Sequence, residues 1–148
     1  MLDCPLCRPL YGPVLRRGGS SGTGYWNVWL NRNQNLLGKC LLVLVRHEVR
    51  VDQLTHAEWA DLQECLKEVT QWLRQAFAPD HFNYAFLQNQ DRHVHLHVIP
   101  RYAAPREVGQ LIFTDPDYPD HYRVPAPPRH VSAEVLEAIG RQLHASIT

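Results

Sequence analysis

His93-Val94-His95-Leu96-His97-Val98-Ile99-Pro100-Arg101 alternates polar and apolar residues as far as Val98. On a β-strand successive side chains point to opposite faces, so His93, His95, His97 and Ile99 share one side and Val94, Leu96 and Val98 the other. The apolar side suits a core. Three imidazoles are then left on the open face, about 6.5–7 Å apart, the rise of two strand residues. An imidazole serves as nucleophile, proton donor or metal ligand near neutral pH, and three in a row allow those tasks to be divided. Pro100 lacks the N–H of a ladder and is expected to close the strand. A lone strand histidine is ordinarily a surface or satisfied core residue. Three at a strict period of two over an apolar back face need another explanation. A metallohydrolase H-x-H-x-D-H site is not matched, because Val98 stands where its aspartate would be. Catalytic zinc held by an H-x-H pair and a third histidine stays open.

His93 to Ile99 resembles the signature of the histidine-triad (HIT) family, His-φ-His-φ-His-φ-φ with φ apolar, and Pro100-Arg101 follows in many members. The resemblance extends over Tyr25 to Tyr102. Leu42-Val43-Leu44-Val45-Arg46-His47, after Gly38, is similar to the family's strand that runs through a basic residue into a fourth histidine. Asn31-Arg32, with Asn31 seven residues before Gly38, resembles the dinucleoside-polyphosphate hydrolase branch, where that asparagine binds the ribose hydroxyls. As a plain turn former Asn31 would need no such role. Asn89 stands four residues before His93, where relatives carry a Gln or Asn that helps bind phosphate and ribose. Gln88 replaces the small glycine usual beside it, a departure that bears on the phosphate contacts of this turn.

The resemblance implies a nucleotidyl hydrolase or transferase in which His95 attacks the α-phosphate, His97 bonds phosphate oxygens or the leaving group, and His93 completes the triad. It implies a homodimer built through the sheet. The N-terminal Cys4-Pro5-Leu6-Cys7, read alone, is either half a metal site or an incidental pair, since no strand precedes it as a thioredoxin-type pair would need. In zinc-carrying relatives two such cysteines join the fourth histidine and the first of the triad. The corresponding set here is Cys4, Cys7, His47 and His93, a Cys2His2 tetrahedron of the structural kind, closed to water. No organic cofactor is implied.

The chain has 148 residues, with 15 basic and 15 acidic side chains and 45% hydrophobic residues. That is one domain's worth of core, residues 1–148, and no electrostatic bias toward long nucleic acid or a membrane. No apolar run reaches transmembrane length, and the start lacks a secretory pattern, so a cytoplasmic protein is expected.

The remaining segments place the elements. Residues 1–24 hold the cysteine pair and a Gly/Ser stretch, Arg16 to Gly24, read as a solvated connector or as a mobile loop over phosphates. Tyr25 to Leu30 and Cys40 to Arg46 read as strands, the second buried on both faces. Cys40 and Cys65 read as small buried hydrophobes. Thr55 to Phe77 reads as an amphipathic helix with a Thr55/Glu58 capping box, Trp59 and Trp72 as core or packing residues, and a stop at Pro79. His81 to Leu87 reads as the strand that enters the triad through a polar turn. Prolines mark 105–130 as an irregular tail, open to packing over the site or to building a dimer contact, and 132–147 reads as a last helix with Val135, Leu136, Ile139 and Leu143 on its apolar stripe. The expected architecture is α+β, a HIT-like antiparallel sheet of about five strands with one long helix and a C-terminal helix.

Dinucleoside polyphosphates such as diadenosine tetraphosphate are the substrate class that Asn31-Arg32 and Pro100-Arg101 favour by resemblance. The C-x-x-C is closer to phosphoramidase-like members. The alternatives are therefore an adenosine phosphoramidase or adenylate hydrolase, a phosphorylase of the same substrates, and a zinc-stapled nucleotide-binding module without activity.

Overall fold

A computed structural model of the chain describes residues 4–7, 13–19 and 24–145. Five strands form one antiparallel sheet: β1 (Val14–Arg16), β2 (Trp26–Leu30), β3 (Cys40–Leu44), β4 (His81–Ala85) and β5 (His95–Arg101), in the order β1-β2-β3-β5-β4. Two helices, α1 (His56–Phe77) and α2 (Ala133–Ala145), flank it, and a hairpin of β6 (Arg106–Val108) and β7 (Leu111–Phe113) stands apart. This is the expected α+β architecture.

The pleat sorts side chains as the alternation requires. Val28, Leu30, Cys40, Leu42, Leu44, Leu96 and Val98 are buried in one cluster with Leu62, Val69, Leu73 and Phe77 of α1 and Leu136, Ile139 and Leu143 of α2. Both helices therefore cover the same face. On the other face Trp29, Leu41 and Val43 form a smaller cluster with Leu6 of the N-terminal segment. The cysteines behave as read: burial pushes the Cys40 thiol up to about 12, and burial, with Asp61 and Glu68 nearby, does the same for Cys65.

Local chemistry sets the boundaries of α1. Thr55 accepts from the Glu58 N–H, and Glu58 accepts from the Thr55 N–H at 2.8 Å, a complete capping box. Ala78 turns left-handed at φ 47, ahead of Pro79. Gly38 is needed twice over. Its φ is +84, and a Cβ there would come within 2.6 Å of Leu73 on α1.

Several expectations are corrected. β5 begins at His95, because the Val94 N–H bonds to the Glu48 carbonyl at 2.8 Å and the chain bends at His93. Three histidines in one row thus become two on the strand and one at its threshold. Pro100 does not end β5, which runs to Arg101 paired with β4. The last β3 partner is Cys40 against Val98, so beyond that point one side of β5 has no ladder for a proline to interrupt. β3 stops at Leu44, since Arg46 turns to Glu58 at 2.7 Å, and β4 stops at Ala85 ahead of Gln88 at φ 53. Trp72 is buried, whereas Trp59 is 42% exposed and packs edge-on against Phe86.

The segment 105–130 is not wholly irregular. Gly109 and Gln110, both at positive φ, close a two-residue turn between β6 and β7, and Val108 and Phe113 enter the main core. β1 was not anticipated either. Of the Gly/Ser stretch, residues 20–23 lie outside the described residues, as do 1–3 and 146–148. Its first cation, Arg16, is bonded to Asp61 of α1 at 3.0 Å.

Candidate active site and metal-binding cluster

Directly opposed residues of an antiparallel pair point the same way. Val43 lies opposite His95 and Leu41 opposite His97, so both imidazoles stand on the face that the helices leave bare. A cavity of about 320 Å³ opens over them, within the size range of small-molecule sites. Its lining brings together His95 and His97, Asn31 and Lys39 from either side of the turn between β2 and β3, Asn89, and Val124 and Pro125 of the tail. All the residues that the sequence assigned to nucleotide binding, Asn31, Asn89 and His97, meet there.

His95 is 5% exposed, and its Nδ1 lies 2.7 Å from the His93 carbonyl oxygen. A carbonyl only accepts, so Nδ1 carries the proton and donates it, which leaves the lone pair on Nε2. His97 packs edge-on against His95 with ring centroids 4.9 Å apart. Burial first, then the neighbouring His95 ring and the Lys39 cation, push His97 down to about 4. Its ring is neutral at neutral pH. Asn31 serves as the turn former, its Oδ1 accepting from the Asn33 N–H at 3.0 Å, and still lines the cavity. Its Nδ2 makes no hydrogen bond among the described residues. Gln88 takes the left-handed conformation that favours glycine, and its Nε2 secures the turn by donating to the carbonyls of Val49 at 2.9 Å and Arg92 at 2.7 Å.

His93 turns to a different task. Its Nε2 donates to the Leu44 carbonyl at 2.7 Å, which leaves Nδ1 with a lone pair. That nitrogen lies 3.4 Å from Cys4 Sγ and 3.5 Å from Cys7 Sγ, and His47 Nδ1 lies 3.3 Å from Cys7 Sγ. The four ligand atoms are all within 4.8 Å of one another. A tetrahedral metal with bonds of about 2.3 Å to sulfur and about 2.0 Å to nitrogen has sulfur–nitrogen edges of about 3.5 Å. The separations fit. A ring nitrogen aimed at two thiols while the other donates to a carbonyl is also the arrangement that outer partners impose on a metal-bound histidine. Among the described residues this is the group able to hold a metal, and it contains neither His95 nor His97. The alternative in which the triad itself binds zinc is not matched by this geometry.

Of the two places the sequence left open for the tail, over the site or in a dimer contact, its residues Tyr122 to Ala126 take the first, and Lys39 is a part of the cavity that sequence reasoning did not place. Arg129 N donates to Asn33 Oδ1 at 2.8 Å, Gln34 N to the Arg129 carbonyl at 3.0 Å, and Arg101 Nε to Asp115 at 2.7 Å, and these bonds hold 114–130 across the sheet end. Asp115-Pro116-Asp117 was the available signal. Lys39 carried none beyond its place after Gly38.

The HIT domain family matches residues 27–104, just over half of the chain. No curated protein matches it. Among solved structures, the fold is similar to that of a hypothetical histidine triad nucleotide-binding protein from Sulfolobus tokodaii, with a TM-score of 0.71 and 18% identity over 97% of this chain and 91% of that one. A histidine triad protein from Sinorhizobium meliloti gives a TM-score of 0.66 and 21% identity, with 82% of this chain and 83% of that one covered. A zinc-bound histidine triad family protein from Mycobacterium smegmatis gives 0.53 and 20%, covering 91% and 89%. With a family match that covers β3, β4, β5 and nearly all of β2, the turn amides and all three histidines, the chain belongs to the HIT domain family.

Proposed function

We propose that the protein cleaves nucleotides at the α-phosphate through a covalent nucleotidyl-His95 intermediate, with dinucleoside polyphosphates such as diadenosine tetraphosphate as its substrates. One observation carries the reading: the bond from His95 Nδ1 to the His93 carbonyl, which leaves the ring's lone pair on Nε2 in a residue that lines a nucleotide-sized cavity. Nε2 attacks phosphorus, and the bond from phosphorus to the leaving oxygen breaks. Positive charge then develops on the imidazole, and the His93 carbonyl stabilises it through the Nδ1 proton. His97, neutral beside it, bonds the phosphate or the leaving oxygen, while the amides of Asn89 and Asn31 hold phosphate and ribose. Water then attacks phosphorus and the imidazole departs, restoring Nε2. His93 takes part through its backbone, and its ring belongs to the cysteine cluster.

Cys4, Cys7, His47 and His93 are suited to zinc. Bound there, the ion would supply a structural tie with no open coordination position. It would fasten the N-terminal segment to the threshold of β5, the peptide whose carbonyl orients His95. We infer a homodimer in which the exposed edge strand β4, with Tyr84 49% exposed, continues the sheet.

The test is acid quenching of the protein during turnover of diadenosine tetraphosphate, followed by mass spectrometry of its peptides. A nucleotidyl adduct on the peptide carrying His95 supports the mechanism. Turnover with the adduct elsewhere refutes it. Parallel incubations with an AMP-phosphoramidate, and with added inorganic phosphate, separate hydrolase, phosphoramidase and phosphorylase.

A further inference from the structure

Among the described residues Lys39, Glu58 and Arg101 are the buried lysine, arginine or carboxylate residues, in addition to the histidines His93 and His95. Glu58 is bonded to Arg46 at 2.7 Å, and Arg101 to Asp115 at 2.7 Å. Lys39 is only 7% exposed, yet its ammonium has neither an ion pair nor a hydrogen bond among the described residues. Its nitrogen is not one of the buried polar atoms left without a partner, so it still reaches solvent, and natural folds keep a largely buried cation where something else pairs with it. Burial pushes the Lys39 amine down to about 8, so most of it still carries a proton at pH 7.

Its position says what that something is. Cys40 pairs with Val98 and Leu41 with His97, and Lys39, the residue before β3, lines the cavity on the face of the catalytic histidines. On its other side the Asn31 N–H donates to the Lys39 carbonyl at 2.9 Å. Lys39 thus stands between Asn31 and His97, lines the same cavity and contributes to the depressed pKa of His97. The other basic residue of the lining, Arg123, is already engaged with Asp117 at 2.9 Å.

We propose that the Lys39 ammonium binds a second phosphate group of the nucleotide, one beyond the α-phosphate attacked by His95. The proposal rests on the nucleotide reading of the cavity and narrows it to ligands with at least two phosphates. An ammonium facing an oxygen of a second phosphate forms a short charge-assisted bond, and AMP has no second phosphate to offer. Two sources supply one: the next phosphate of a polyphosphate chain, or a phosphate on the ribose that Asn31 would hold.

Calorimetric titration of His95→Asn protein, with Lys39 intact or changed to Met, tests this with AMP, ADP and adenosine 3′,5′-bisphosphate. With Lys39 present, ADP or the bisphosphate should bind at least tenfold more tightly than AMP, and the one preferred identifies the source. Lys39→Met should abolish that preference while changing AMP affinity less than threefold, and Lys39→Arg should keep it. Without nucleotide, Lys39→Met should melt no lower than the parent, because no ion pair or hydrogen bond is lost and a largely buried cation is removed. A preference that survives Lys39→Met, no preference in the parent, or a destabilised Lys39→Met overturns the proposal. If AMP still binds in those cases, the nucleotide site stands. If none of the three ligands binds, that site falls as well.

Discussion

The Arg101 guanidinium and the Asp115 carboxylate meet at 2.7 Å with 2% and 1% of their side chains exposed. Arg101 also donates to Asn83 Oδ1 at 2.9 Å and to the Asp120 carbonyl at 2.8 Å, and Asp115 accepts from the Tyr102 N–H at 3.2 Å. One pair therefore ties the end of β5 to β4 and to the segment that walls the cavity. Removing a single partner leaves a buried charge uncompensated, which costs about 3–5 kcal/mol. Arg101→Met and Asp115→Asn should each lower urea-denaturation stability by about that much. The double variant should lose clearly less than the sum of the two, as groups in one contact do. An additive double variant would mean that the two side chains act independently.

His95→Gly or His95→Asn should lower turnover of diadenosine tetraphosphate by several orders of magnitude while the nucleotide still binds. Loss of the nucleophile removes the covalent route, whereas the amides and Lys39 that surround the ligand remain. Steady-state rates and binding titrations on the same preparations check this. Near-parental turnover would remove His95 from the chemistry.

Period-two alternation at His93–Arg101 made the core face of β5 legible, and the Thr55/Glu58 pair marked the start of α1, because both signals are local. What lay hidden depends on distant partners. The bend at His93 follows from a bond to Glu48 and from rings and thiols contributed by Cys4, Cys7 and His47. β1 spans three residues, too few for a periodicity. The β6–β7 hairpin did leave a local trace, Gly109-Gln110 between two short apolar runs, but the surrounding prolines outweighed it. Lys39 could not be singled out at all, since its importance is the absence of an acid that only the folded chain reveals.

The Cys4, Cys7, His47 and His93 cluster should carry about one zinc per chain in protein purified without added metal, as read by elemental analysis. Cys4→Ser should lose the metal and melt lower, because metal affinity for a folded site is folding free energy. Per folded molecule, its rate should fall far less than that of His95→Asn. Strong chelators should act the same way, through stability and not through the chemical step. A parent protein without bound metal would defeat the assignment.

Acid should unfold the protein partly through His97. Its pKa is about 4 in the folded state and 6.5 ordinarily, so between those values the unfolded chain binds the extra proton. Stability is therefore complete above pH 6.5 and is lost as pH falls toward 4, by about 3 kcal/mol at most from this ring. Replacing His97 with Asn, which cannot titrate there, should flatten the stability profile across that window by a similar amount. His93 is also held below its usual value, by burial first, but it is present in both proteins and cancels in the difference. Chemical denaturation of parent and His97→Asn at pH 7 and pH 5 reads it directly. Equal losses in the two proteins would show that the His97 ring takes no part in the acid sensitivity.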